Sequence, residues 1–111
     1  MTINEYLRMT TEVITTKTGY SFQAIRPRIV CVDGFDVSIQ AGGTMYCSPR
    51  LDGLHCYESV EIGYPSDVVP EWMEYVGDAD DPLETVYIFV PVEIVDAVLE
   101  QHGGIANGVY S

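Results

Sequence analysis

Two short motifs, Arg26-Pro27-Arg28 and Ser48-Pro49-Arg50, hold three of the five basic side chains of this 111-residue chain beside stiff backbone. A guanidinium fork grips phosphate through two parallel hydrogen bonds and keeps its charge at any cellular pH. Tyr46 stands four positions before Arg50, one of eight tyrosines in the chain. A tyrosine ring supplies the second half of a nucleotide site, because its face stacks on a base. Ser38 and Gln40 add hydroxyl and amide groups able to read polar edges. Arg26, Arg28, Arg50, Tyr46, Gln40 and Ser38 therefore form the expected ligand-binding set, with a small anionic, nucleotide-like molecule as ligand. The competing account is that each arginine simply pairs with one of the seventeen acids.

Catalytic chemistry is harder to assemble. Cys47, His55 and Cys56 are close in sequence, and a Cys/His pair can make a nucleophile. Adjacent residues on a strand point to opposite faces, however, which separates His55 from Cys56. Zinc sites favour close ligand pairs, and Cys31, Cys47 and Cys56 contain none. The chain has no phosphate-binding loop, zinc-protease, nucleophile-elbow or dinucleotide fingerprint. Asp78, Asp80 and Asp81 lack the spacing of a calcium loop and fit a solvated turn. The expectation is a binder without catalytic residues, metal or cofactor.

Composition narrows the setting. The length suits one domain, residues 1–111, and 47% hydrophobic residues is ordinary for a folded protein. The longest apolar run, 86–92, falls far short of the roughly 20 residues that cross a bilayer. The opening MTINEYLRM lacks the basic-then-apolar order of a signal peptide. Three cysteines are an odd set for a disulfide framework, so free thiols in a reducing cytoplasm are expected, with no membrane partner. A net charge of −12 argues against binding a nucleic-acid backbone. Beyond roughly 8 Å at physiological salt, however, the acids are screened, so clustered arginines still make a local positive site.

The elements that must position these residues are legible as local patterns. Thr2 with Glu5 forms a capping box for a helix over 3–10. Asp33-Gly34 suits a two-residue hairpin turn joining 28–32 to 35–41, pairing Val32 with Phe35 and Val30 with Val37. That register places Val30, Val32, Phe35, Val37 and Ile39 on the core face, and Ile29, Cys31, Asp36, Ser38 and Gln40 opposite. Arg26 and Arg28 continue the core face at its open end. A third strand is expected over 55–64, a short helix from Pro70 to Val76, an acidic loop over 77–84 and a buried strand over 85–90. The last helix, 91–102, carries a stripe of Val92, Ile94, Val95, Val98 and Leu99 and stops at Gly103. The sum is an α+β fold, a mostly antiparallel sheet of about four strands covered by two or three short helices. A nucleotide-sized pocket is easier to build between copies of so small a domain, so a homo-oligomer is expected, with the tail 104–111 available to an interface.

The blocks RPRIVCVDGFDVSIQAG, YCSPR, VEIGYPS and ETVYIFVPVEIVDAVLEQHGGI resemble a family of small phage proteins over roughly residues 24–105. The resemblance implies phage origin and action in the cytoplasm of an infected bacterium, and it carries no catalytic residue. It suggests counter-defence in one of two forms. One resembles oligomeric sponges that sequester the signals of Thoeris or CBASS immunity, cyclic ADP-ribose isomers or cyclic oligonucleotides. Arg26, Arg28, Arg50 and Tyr46 would do the binding. The other resembles anti-CRISPR or DNA-mimic inhibitors, with Asp78, Asp80, Asp81 and Glu84 occupying a basic channel. A structural or regulatory phage protein is the third reading.

Overall fold

Helix α1, Ile3–Met9, begins where its caps say it should. The Glu5 amide donates to the Thr2 hydroxyl at 3.2 Å, and the Thr2 amide donates to the Glu5 carboxylate at 2.7 Å. The computed structural model describes residues 1–107, so the part of the expected tail interface beyond Asn107 lies outside the described residues. After α1 come β1 (Val13–Thr15), β2 (Ser21–Gln23), β3 (Ile29–Val30), β4 (Asp36–Gln40) and β5 (Ser59–Gly63). A 3-10 helix (Pro70–Tyr75), β6 (Val86–Pro91) and α2 (Val92–Gln101) complete the order. Strands β3-β4-β5-β6 form one antiparallel sheet, and β1-β2 a separate two-stranded one. The architecture is α+β, and its four-stranded sheet matches the one expected. The β1–β2 pair is an element beyond those expected, joining Val13–Thr15 to Ser21–Gln23 antiparallel.

One face of the large sheet makes the core. Val37, Ile39, Val60, Ile62, Tyr87 and Val90 are fully buried there, against Trp72 of the 3-10 helix, Val95 of α2, and Ile3 and Leu7 of α1. Burying side chains of this size contributes about 1.5–3 kcal/mol each, which is why so short a chain holds together. Helix α2 buries Val95, Val98 and Leu99 as its stripe demands.

The hairpin register differs from the expected one by a single residue. Ile29 pairs with Val37 and Val30 with Asp36. The loop has three residues, not two. The Gly34 amide donates to the Cys31 carbonyl at 3.0 Å, the Cys31 amide to the Phe35 carbonyl at 2.8 Å, and Gly34 takes φ 96°. This is a tight turn followed by a left-handed glycine, the other common solution for an Asp-Gly hairpin. A one-residue slip reverses the strand's faces. Ile29 (0% exposed) and Cys31 (2%) therefore enter the core, while Val30 (40%) and Val32 (69%) face outward. Phe35, Val37 and Ile39 remain buried as expected. The third strand is also shorter than expected. Residues 55–58 are drawn to other partners: the Tyr57 amide donates to Asn4, Arg8 donates to the His55 carbonyl, and the Glu58 amide donates to the Ser48 carbonyl.

The observed register has a direct stability signature. Ile29→Ala should cost about 2–5 kcal/mol in urea unfolding, as truncation of a buried aliphatic does. Val30→Ala should stay within about 0.5 kcal/mol, the range of exposed substitutions. A two-residue turn would reverse that order.

Candidate functional site

The same slip decides where the arginines go. Strand β4 sends Asp36, Ser38 and Gln40 to the sheet's outer face, and Arg28 and Val30 now lie on that face as well. Arg28 lies across it. Its Nε donates to Asp36 Oδ1 at 2.7 Å and its Nη2 to the Tyr64 carbonyl at 2.7 Å. This half-exposed ion pair is the local pairing that the competing account foresees for an arginine.

Arg26 is 3% exposed and serves as an internal strut. Its guanidinium donates to the Ala41 carbonyl (2.6 Å), the Thr10 hydroxyl (3.0 Å) and the Leu7 carbonyl (3.4 Å), tying the end of α1 to the end of β4. Burial pushes its pKa down. Gln40 is 5% exposed and completes the lock. Its carbonyl accepts the Arg26 amide at 2.9 Å, and its amide donates to the Arg26 carbonyl and the Ser38 hydroxyl. Arg26, Gln40 and Ser38 thus bond to one another and to main chain. Arg28, Ser38 and Gln40 are gathered on the outer face, whereas Arg26 turns its guanidinium to the end of α1, and the polar groups of all four are engaged internally.

Tyr46 and Arg50 remain. The Arg50 guanidinium lies 5.1 Å from the Tyr46 ring centre, a cation–π contact, and makes no ion pair among the described residues. Tyr46 is 47% exposed, with its amide donating to Glu61 Oε2 at 2.9 Å. Glu61 stands beside Gln40 on the outer face, so this pair sits over the same side of the sheet as the other candidates.

Phe89 joins them, and the sequence offers no signal for it. Val60 pairs with Val90 and Ile62 with Tyr87, so Glu61 alone faces two residues of β6, Ile88 and Phe89. The bulge puts Phe89 at φ 52°, a left-handed conformation rarely adopted by a bulky residue. Its amide donates to the Tyr46 carbonyl at 3.1 Å, and its ring, 40% exposed, meets the Tyr46 ring edge-on with centres 6.1 Å apart. Strain of this kind costs about 1–3 kcal/mol and concentrates at working surfaces. Two open aromatic rings and a guanidinium without a carboxylate partner thus share one exposed patch.

Three hollows open elsewhere. One of about 310 Å³ is bounded by Met1, Thr2, Asp96, Leu99, Glu100 and Gly104, and another of about 170 Å³ by Arg8, Thr11, Gly53, Leu54 and His55. A third, about 230 Å³, is lined by Asp33, Phe35, Ser66, Asp67 and His102. There the His102 ring stacks on Phe35 at 4.1 Å and its Nδ1 lies 2.7 Å from Asp33 Oδ2. Asp33, read from sequence only as a turn residue, is thereby also a partner of α2's C-terminal histidine. The Phe35 amide, and then His102, hold its carboxyl below the usual aspartate range.

The cysteines divide by burial. Cys31 and Cys47 are buried and Cys56 is exposed. Desolvation pushes the Cys31 thiol up to about 11 and raises that of Cys47, whose sulfur also donates to the Gly42 carbonyl. Among the described residues no cluster of three or more His, Cys, Asp or Glu has the geometry to hold a metal ion, and no helix is long and apolar enough to cross a membrane. Asp78, Asp80, Asp81 and Glu84 are all exposed. Comparison with protein-family models, with curated proteins and with solved structures gave no match.

Two measurements check this picture. A thiol reagent should label one cysteine per native chain, Cys56, and all three only after unfolding. For Asp33, a depressed folded-state pKa adds stability that is fully present above the ordinary value near about 3.9 and is lost as pH falls through the lowered one. Asp33→Asn should therefore be less stable than the native chain at pH 7, with the difference closing under strongly acidic conditions in pH-dependent urea melts.

Proposed function

We propose that the chain is a phage-encoded, non-catalytic binding protein that sequesters an anionic nucleotide signal on the surface of Tyr46, Arg50 and Phe89. The observation that carries this reading is Arg50 itself. In a chain of net charge −12 its guanidinium rests over an exposed tyrosine ring without a carboxylate partner among the described residues. A fork so placed can take a phosphate in two parallel hydrogen bonds, while the neighbouring ring faces accept a base. The Glu61 carboxylate beneath is engaged by the Tyr46 amide, which lessens its repulsion of an anion. The resemblance of the RPRIV, YCSPR and VPVEIV blocks to small phage proteins supports counter-defence as the setting, with cyclic ADP-ribose isomers or cyclic oligonucleotides as ligands. Sequestration needs affinity without turnover, which suits a patch that presents a phosphate clamp and stacking faces. Because the patch is open, the ligand lies on a surface rather than in an enclosed pocket.

The test is a thermal-shift panel of cyclic ADP-ribose isomers, ADP-ribose and cyclic di- and trinucleotides. Ligand at about 100 times its dissociation constant adds about 2.7 kcal/mol, a rise of order ten degrees for a domain near this size. Arg50→Ala and Phe89→Ala should abolish the rise, Arg28→Ala should retain it, and ligand released by denaturation should be unmodified. A flat panel, or a shift indifferent to Arg50→Ala, overturns the proposal.

A further inference from the structure

The β1–β2 arm stands apart from the sheet and shows its side chains to solvent. All three residues of β1 are exposed, with Val13 at 45% and Ile14 at 39%, while Tyr20 at the arm's far end is 56% exposed and stacks on Phe22. Ile14 pairs with Phe22, so Ile14, Phe22 and Tyr20 share one apolar face. A lone two-stranded hairpin is marginal in water, because it has no layer to bury its apolar face against. Among the described residues its outer edge is open as well. The Thr16 amide donates to the Tyr20 carbonyl and the Ala24 amide to the Glu12 carbonyl. The alternation of an antiparallel ladder then turns the N–H groups of Val13 and Thr15 away from β2. Of the six strand residues of the arm only Gln23 is buried, its side-chain amide donating to the Thr10 and Ala24 carbonyls.

Charge says what can cover this surface. Residues 13–32 contain no acid and three bases, whereas the other 91 residues carry seventeen acids and two bases. Two copies of so acidic a chain repel over most of their surfaces, but the acid-free arm lets them meet without apposing carboxylates. We infer that the arm is a self-association surface, with β1 of one copy pairing antiparallel to β1 of a second across a twofold axis. Such a contact is isologous. It satisfies the outward amides of Val13 and Thr15 and places the Ile14–Phe22–Tyr20 faces of both copies in one continuous four-stranded ribbon. Though only three residues long, the edge strand has no charge, proline or bulge to guard it, and an unguarded edge is where strands add to one another. The contact lies apart from the Tyr46–Arg50–Phe89 patch in the chain and does not depend on the ligand proposed there.

Sedimentation velocity with the full chain tests the inference. The native protein should sediment at twice its 12.3 kDa mass. The pair Ile14→Lys and Tyr20→Lys should return it to the monomer, with the near-ultraviolet signal of buried Trp72 unchanged. Thr15→Pro provides a second route, because it deletes an outward amide and blocks edge pairing; it also removes the Thr15–Ser21 hydroxyl contact, but no main-chain bond of the β1–β2 ladder. In hydrogen exchange, the Val13 amide should be protected in the native protein and fast in both variants, and the Thr15 amide protected in the native protein and fast in the double-lysine variant. A native chain that is monomeric at its highest soluble concentration overturns the inference, as does a dimer that survives both variants. A monomer whose arm is captured by a different partner counts as the first of these results.

Discussion

The bond from the Gly34 amide to the Cys31 carbonyl closes a turn that only a left-handed residue can complete, and the sidedness of the sheet follows from it. With three loop residues, Ile29 and Cys31 point inward, and Arg28 and Val30 lie over the outer face. The core then closes over Val37 and Ile39, while Arg28 arrives beside Asp36 and the Arg26 main chain meets the Gln40 amide. Shifting that loop by one residue would turn Arg28 into an apolar layer, which the desolvation of a charge forbids without partners.

Electrostatics then sort the four arginines into different employments. Arg26 is committed to carbonyls and a hydroxyl, Arg28 to a carboxylate, and Arg8 to the His55 carbonyl. A buried guanidinium satisfied by main-chain oxygens gains geometric fixity, since its planar fork joins two elements at set angles. Arg50 is left over a ring rather than an acid. The distinction between a structural and an available arginine is therefore one of partners, not of residue type or of neighbouring proline.

Sheet edges are handled in three ways. On the β3 edge, the Ala106 amide donates to the Val30 carbonyl and Asn107 accepts the Val30 amide, so the segment after α2 covers the strand. On β6 the bulge at Ile88–Phe89 breaks the ladder and turns an aromatic ring outward. On β1 the edge stays open. Open edges are liabilities in solution and assets in assembly, because unpaired main-chain groups lose free energy only until a strand arrives to pair them.

The local parts of this structure were legible in its residues. The Thr2–Glu5 cap, the Asp-Gly turn, Pro70 opening a short helix and the stripe of α2 each depend on groups within a few positions of one another, so residue type and spacing settle them. The α+β class and the four-stranded sheet follow from those elements. Register was not legible, because two-residue and three-residue loops draw on the same Asp-Gly pair and differ by where one hydrogen bond closes. The candidate site divides in the same way. Arginines beside prolines and a nearby tyrosine could be found by inspection, but whether a guanidinium meets Asp36, the Ala41 carbonyl or the Tyr46 ring depends on chains brought together from far apart. Phe89 left no trace at all, since a bulge arises from mismatch between two paired strands. What the sequence by itself determined was which elements form and which polar groups exist. Only the tertiary structure decided which of those groups are already satisfied, because satisfaction depends on long-range partners.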